Sequence, residues 1–377
     1  MVTHLAVLAA TLGIGLTDGP GGAKALRRSA PFDYRYQYLA AGWQTWNPNG
    51  SFATLYISES VKAHITPVLT LYTIRQSPPG RDNQDEAAAD LGNLRNKATM
   101  RAWYANARLL FNRAGAFHGK KVIVHVEPDL WGYVQQAAKH DRAASVPAVV
   151  GHGLPNNVSG FARLIVRLRN KYAPNVRLAY HLSVWGTKTD IALQDPPDKQ
   201  VTALGLRAAR FYRSLHAHFD MTFAEFGDRD SGFNQFVGGD GGASWWNAAD
   251  FRRDVHFDSL YSHAAHQRIV KWQIPLGNTL MRAMDDTWGH FRDNRVQWLL
   301  GGDRKHLRAY AGAGVVALLF GGGADGTTCA CDAQHDGVTN PAPKHGNTRK
   351  SLNADDDGGY FRQQVRRYYK RGALRVR

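Results

Sequence analysis

Cysteine is nearly missing: Cys329 and Cys331 are the only two in 377 residues. A disulfide framework therefore cannot organise the fold, and the Cys-Ala-Cys spacing is too short for a zinc knuckle without further ligands. The two sulfurs either bridge across a small loop or stay free. Long apolar runs are missing too, since nothing approaches the ~18–20 residues of a membrane-spanning helix. The chain holds no His-x-x-Glu-His motif, no nucleophile elbow and no Walker loop. The glycine run Gly321-Gly322-Gly323-Ala324-Asp325-Gly326 has the wrong spacing for a dinucleotide fingerprint. No linker, low-complexity tract, charge block or internal repeat divides the sequence, so residues 1–377 read as one domain.

What is present is the composition of a soluble globular protein: 44% hydrophobic and 21% charged residues. A chain of this length buries a core large enough to fold without metals or disulfides. The formal net charge of +16 favours anionic partners such as acidic sugars or envelope polymers, or else reflects basic residues solvating the backs of helices. No nucleic-acid recognition motif accompanies it, which argues against a nucleic-acid partner. The apolar start, Met1 to Leu16, lacks a basic leader region and is read as running into a first strand, with any targeting segment upstream.

Short apolar, β-branched runs alternate with helix-like stretches to the end of the chain, the pattern of parallel strands joined by helical crossovers. Eight strands are predicted, at Leu12–Thr17, Asp33–Leu39, Ile65–Ile74, Lys121–Val126, Val176–Leu182, Met221–Phe226, Ile269–Ile274 and Gly314–Phe320. The intervening helices read as Leu94–Ala116, Ser159–Tyr172, Lys199–His218, Ala249–His266 and Arg295–Gly312. The fold class is thus α/β, a single (β/α)8 TIM barrel with long loops at the C-terminal face of its strands. Residues 321–377 form a long loop after the eighth strand and a C-terminal helix.

In such barrels catalytic groups sit just past the carboxyl ends of the strands. Carboxylates follow the first, fourth, sixth and eighth predicted strands, and tryptophans follow the second, fourth, fifth and seventh. Sugars dock by stacking apolar ring faces on indoles while polar side chains take their hydroxyls. On that logic Asp18, Arg35, Trp43, Trp46, Trp131, Trp185, Asp230, Trp272, Gln273 and Asn278 are candidate substrate contacts. Glycoside hydrolysis needs two carboxyl groups. Glu127 and Asp129 are the first candidates, two residues apart and so on one face of an extended chain. Glu225 and Asp228, with Asp230 beside them, form the second cluster. The competing reading has these acids capping helices or pairing with arginines. No metal site or cofactor is expected: the Asp- and Gly-rich stretches at 332–337 and 355–359 read as turns. His181, His263 and His266 read as satisfied structural histidines.

The run Val122-Ile123-Val124-His125-Val126-Glu127-Pro128-Asp129-Leu130 resembles the strand-end motif V-I-E-P-D-S-L of glycoside hydrolase family 6 cellulases. The likeness covers that strand and the unit after it. It implies the role of catalytic acid for Asp129, which matches the motif's Asp. That family's other acidic motif lies one strand earlier, where this chain has Arg75-Gln76, and its barrel is incomplete. A Glu after the fourth strand also resembles the acid/base of the large retaining-hydrolase clan, yet the seventh strand here ends in Gln273 rather than a nucleophile. The resemblance thus points to a TIM-barrel glycoside hydrolase of a separate family. The expected protein is a secreted or envelope-associated hydrolase of a polysaccharide or glycan. The alternative is a non-catalytic barrel that binds acidic envelope glycans.

Overall fold

The computed structural model describes residues 11–322, 325–341 and 346–376. The N-terminal part of the apolar start, Met1–Ala10, lies outside these residues, as do Gly323 and Ala324 of the glycine run.

Eight parallel strands close on themselves in sequence order. They are β1 (Gly13–Thr17), β2 (Tyr34–Leu39), β3 (Thr66–Leu71), β4 (Val122–Val126), β5 (Val176–Leu182), β6 (Met221–Glu225), β7 (Ile269–Ile274) and β8 (Val315–Phe320). The ring closes by pairing β1 with β8, Ile14 opposite Leu318. Helices follow every strand, and their apolar faces cover the outer side of the barrel in one continuous core. The expected (β/α)8 architecture is therefore the observed one.

Helix ends differ from the pattern reading where capping chemistry intervenes. The stretch predicted as Leu94–Ala116 begins instead after Asn96, whose side chain accepts from the Ala98 and Thr99 N–H groups and so starts helix Lys97–Gly115. The stretch predicted as Arg295–Gly312 is two helices, Arg295–Leu300 and Lys305–Gly312, broken at the consecutive glycines Gly301 and Gly302.

Alternation along the strands decides what fills the barrel. Tyr34, Tyr36 and Tyr38 of β2 point inward, with Val68, Ile123, Ala179, Phe223, Trp272 and Leu319 from other strands. Gly15 makes room for this layer, because a Cβ there would lie 2.4 Å from Leu319 and 2.7 Å from the Tyr34 side chain. At the opposite end from the site the chain's own tail plugs the barrel. Val376 packs against the interior cluster, and Leu12 N–H donates to the Leu374 carbonyl at 2.7 Å.

Candidate active site

A cavity of about 590 Å³ opens at the carboxyl ends of the strands. Asp129, Trp185, Glu225, Asp228, Trp272 and Gln273 line it, all from the predicted set. Tyr38, Tyr72, Gln76, Glu86, Tyr133 and Arg229 line it as well.

Its chemical centre is a pair of acids from β4 and β6. An oxygen of Asp129, an oxygen of Glu225 and a ring nitrogen of His181 lie within 4.8 Å of one another. The Trp185 indole N–H donates to Oε2 of Glu225 at 2.9 Å, and Tyr133 packs against the same indole. The Tyr72 hydroxyl hydrogen-bonds Asp129. Burial pushes the Asp129 carboxyl up to about 6, helped by the negative charges of Glu86 and Asp228. Glu225 is pushed well above the usual carboxylate range, first by burial and then by Asp129, Asp228 and Asp190. Two acids this close cannot both ionise cheaply, so the pair shares one proton near neutral pH. Asp228 pairs with Arg229 at 2.6 Å on the rim.

The floor beneath the acids is aromatic. Trp272 lies between Tyr38, His125 and His181, with ring centroids 4.8–5.7 Å apart. Nε2 of His125 sits 3.1 Å from Nδ1 of His181, and Nδ1 of His125 sits 3.3 Å from the Thr70 hydroxyl. Burial drives both imidazoles toward the neutral form, His181 down to about 3. His181 does not fit the expectation of a satisfied structural histidine, because its buried Nε2 has no hydrogen-bond partner among the described residues.

Several expected site residues are placed elsewhere. Glu127 turns away from the cavity. Its carboxylate accepts from the N–H groups of Thr73 and Ile74, the Thr73 hydroxyl and, at 2.6 Å, the Trp103 indole. The reason is backbone geometry: Glu127 and Asp129 both have left-handed φ, +46° and +67°, so the chain is not extended there and the two acids do not share a face. Gln273, across the cavity, is left-handed too, at +54°. Such non-glycine conformations are costly and cluster at functional sites.

Arg35 is on the outward side of β2, since the inward positions belong to the tyrosines. It is fully buried between Asp18 at 2.7 Å and Glu59 at 2.5 Å, and it lies over the Tyr56 ring. Asp18 is thereby held away from the cavity as well. Trp43 and Trp131 are fully buried in the helical core, the latter donating to the Val126 carbonyl at 2.8 Å. Trp46 is exposed and packs edge-on against Phe52. Asp230 accepts from the Gly277 and Thr328 N–H groups, and Asn278 from the Leu280 and Met281 N–H groups, so both fasten loops. Cys329 and Cys331 are disulfide-bonded.

No family model matches the chain, and no curated protein matches it. Among solved structures it is similar to an endo-β-1,4-mannanase double mutant from Cellulomonas fimi, at 11% identity, covering 94% of this chain and 70% of that one, with a TM-score of 0.52. It is similar to an engineered protein at 10% identity, with the same two coverages and a TM-score of 0.50. It also resembles GH5_18 from Streptomyces cattleya in complex with GlcNAc, at 10% identity, 98% and 83% coverage and a TM-score of 0.47. At these identities the likeness establishes the fold, one that glycoside hydrolases use.

Proposed function

We propose that the chain is a glycoside hydrolase acting with retention of anomeric configuration. One observation carries this reading: carboxyl oxygens of Asp129 and Glu225 lie within 4.8 Å of each other, inside a cavity sized for sugar rings. Retaining enzymes hold their two carboxyl groups about 5–5.5 Å apart, whereas inverting enzymes leave about 6.5–9.5 Å for a water.

Burial and the negative charges of Asp129, Asp228 and Asp190 favour the protonated form of Glu225, and we assign it the role of the acid that protonates the leaving oxygen. Asp129, ionised, attacks the anomeric carbon, and the C–O bond to the leaving group breaks as the glycosyl ester forms. Glu225, now a carboxylate, takes a proton from water, whose oxygen displaces Asp129 and frees the sugar. This differs from the acid role that the E-P-D resemblance implies for Asp129. Trp185, Tyr72 and Tyr133 offer ring faces to the sugar, and Gln76 and Gln273 offer groups to its hydroxyls.

Asp129, Glu225, Asp228 and Glu86 face a single arginine, Arg229, in the cavity. That balance favours a neutral sugar over an acidic one at the point of cleavage. The net charge of +16 then acts at a distance, on a polyanionic envelope or matrix around the substrate. The paired Cys329 and Cys331 fit an oxidising compartment and support a secreted or envelope-associated protein.

The test is a panel of neutral β-linked polysaccharides, β-mannan included because a mannanase shares the fold. Released reducing ends report turnover, and proton NMR reports the first anomer formed. Asp129→Asn and Glu225→Gln should each lower turnover by about 10²–10⁴-fold with native circular dichroism. Full turnover in both variants would reject the reading; an inverted first product would reject the retaining mechanism.

A further inference from the structure

The carboxyl ends of β4, β5 and β6 bring together an oxygen, nitrogen and oxygen donor set. Adjacent strands run about 4.8 Å apart, so side chains at matching heights on consecutive strands converge over the barrel. Asp129 comes from the turn after β4, His181 from β5 and Glu225 from the end of β6. Their donor atoms fall within 4.8 Å of one another.

Each donor is fastened from behind. Tyr72 bonds Asp129, Trp185 bonds Oε2 of Glu225, and His125 engages Nδ1 of His181. Anchoring of this kind orients metal ligands in known sites and fixes the histidine tautomer. With the proton between the two rings held on Nδ1 of His181, its Nε2 presents a lone pair. That nitrogen is buried and has no hydrogen-bond partner among the described residues, an observation independent of the acids that points to a ligand.

We propose that Asp129, His181 and Glu225 bind one divalent transition-metal ion of the zinc class, through one oxygen of each acid and Nε2 of His181. Two carboxylates and a neutral imidazole match a dipositive ion in charge. A nitrogen donor beside two oxygens selects zinc or cobalt over magnesium or calcium, which take oxygen alone. Asp129 and Glu225 line the cavity, so the site is reached from it. The bound ion holds the two carboxylates that hydrolysis requires, so it acts as an inhibitor that competes with the sugar. The site is a property of the three donors and is read by binding, independently of any turnover.

The full chain, stripped with chelator and dialysed, is titrated calorimetrically with ZnCl2 and with MgCl2, and Co²⁺ is followed by its visible absorption. One Zn²⁺ per chain is expected, with Kd on the order of 1 μM or tighter and Mg²⁺ at least about 100-fold weaker. Asp129→Asn, Glu225→Gln and His181→Gln should each weaken Zn²⁺ by about 10–100-fold or more and remove the Co²⁺ bands. His181 is at the barrel floor, so if that variant fails to fold the two cavity-lining acids carry the test. The absence of saturable Zn²⁺ binding below about 1 mM overturns the proposal. So does equal affinity for Mg²⁺, or Zn²⁺ affinity unchanged in Asp129→Asn and Glu225→Gln, which would place the ion on other histidines. These measurements contain no sugar, so failure of the metal site and failure of the hydrolase reading are told apart.

Discussion

The indole of Trp185 donates a hydrogen bond to Oε2 of Glu225 at 2.9 Å, a contact that counters the forces holding that carboxyl protonated. Trp185→Phe removes the N–H and keeps an aromatic ring against Tyr133. The hydrogen bond favours the ionised form, so its loss raises the Glu225 pKa further and moves the alkaline limb of the pH profile upward. A lost hydrogen bond to a charged group is worth about 1.5–3 kcal/mol, so turnover should fall about 10–100-fold. An unmoved alkaline limb in the pH dependence of kcat/KM would show that the bond does not tune Glu225.

Asp228 raises both acids through its negative charge. Activity needs Asp129 ionised, so in the native chain it rises with pH through about 6. On the proposed mechanism it also needs Glu225 protonated, so it falls as pH rises through the raised Glu225 pKa. Asp228→Asn lowers both pKa values, and both limbs of the bell should move to lower pH together. Movement of only one limb would mean that Asp228 acts on one acid alone.

Glu127→Gln separates architecture from chemistry. The carboxylate accepts from four donors, and an amide nitrogen cannot accept from those it faces. We expect a loss of about 2–4 kcal/mol in unfolding free energy, read by urea denaturation. Turnover per folded molecule should fall far less than in Asp129→Asn. Equal loss of turnover in the two variants at unchanged stability would return Glu127 to the chemistry.

Gly132→Ala probes the seat of Trp185 without touching an acid. A Cβ at Gly132 would stand 2.4 Å from the Trp185 ring, so the ring must shift and draw its N–H from Glu225. The variant should reproduce the altered pH profile of Trp185→Phe in direction, with a blue or red shift of tryptophan fluorescence. A wild-type profile would show that the ring accommodates the methyl without leaving Glu225.

The barrel was legible because most of the eight strands are apolar runs set between helical stretches, a signal that depends on burial on both faces. Asp129, Trp185, Glu225, Asp228, Trp272 and Gln273 were legible for a related reason: topology alone puts strand ends around one mouth. Arg35 was misplaced because the inward positions of β2 are 34, 36 and 38, a period of two that the tyrosines already displayed. Glu127 was misplaced because left-handed backbone at 127 and 129 has no signature in an E-P-D triplet. Glu86 and Tyr133 reach the cavity from helices, where distance along the chain says nothing about the mouth. That Nε2 of His181 has no hydrogen-bond partner among the described residues is a fact of three-dimensional packing and has no counterpart in sequence.

The tether from Glu127 to the top of β3 has a practical meaning for anyone redesigning this protein. It anchors the turn that carries Asp129, so the gap between the Asp129 and Glu225 carboxyls depends on a residue outside the cavity lining. Asp129→Glu or Glu225→Asp would vary reach while leaving that mounting untouched. Converting the stereochemical outcome would call for rebuilding the clasp at Thr73, Ile74 and Trp103 first.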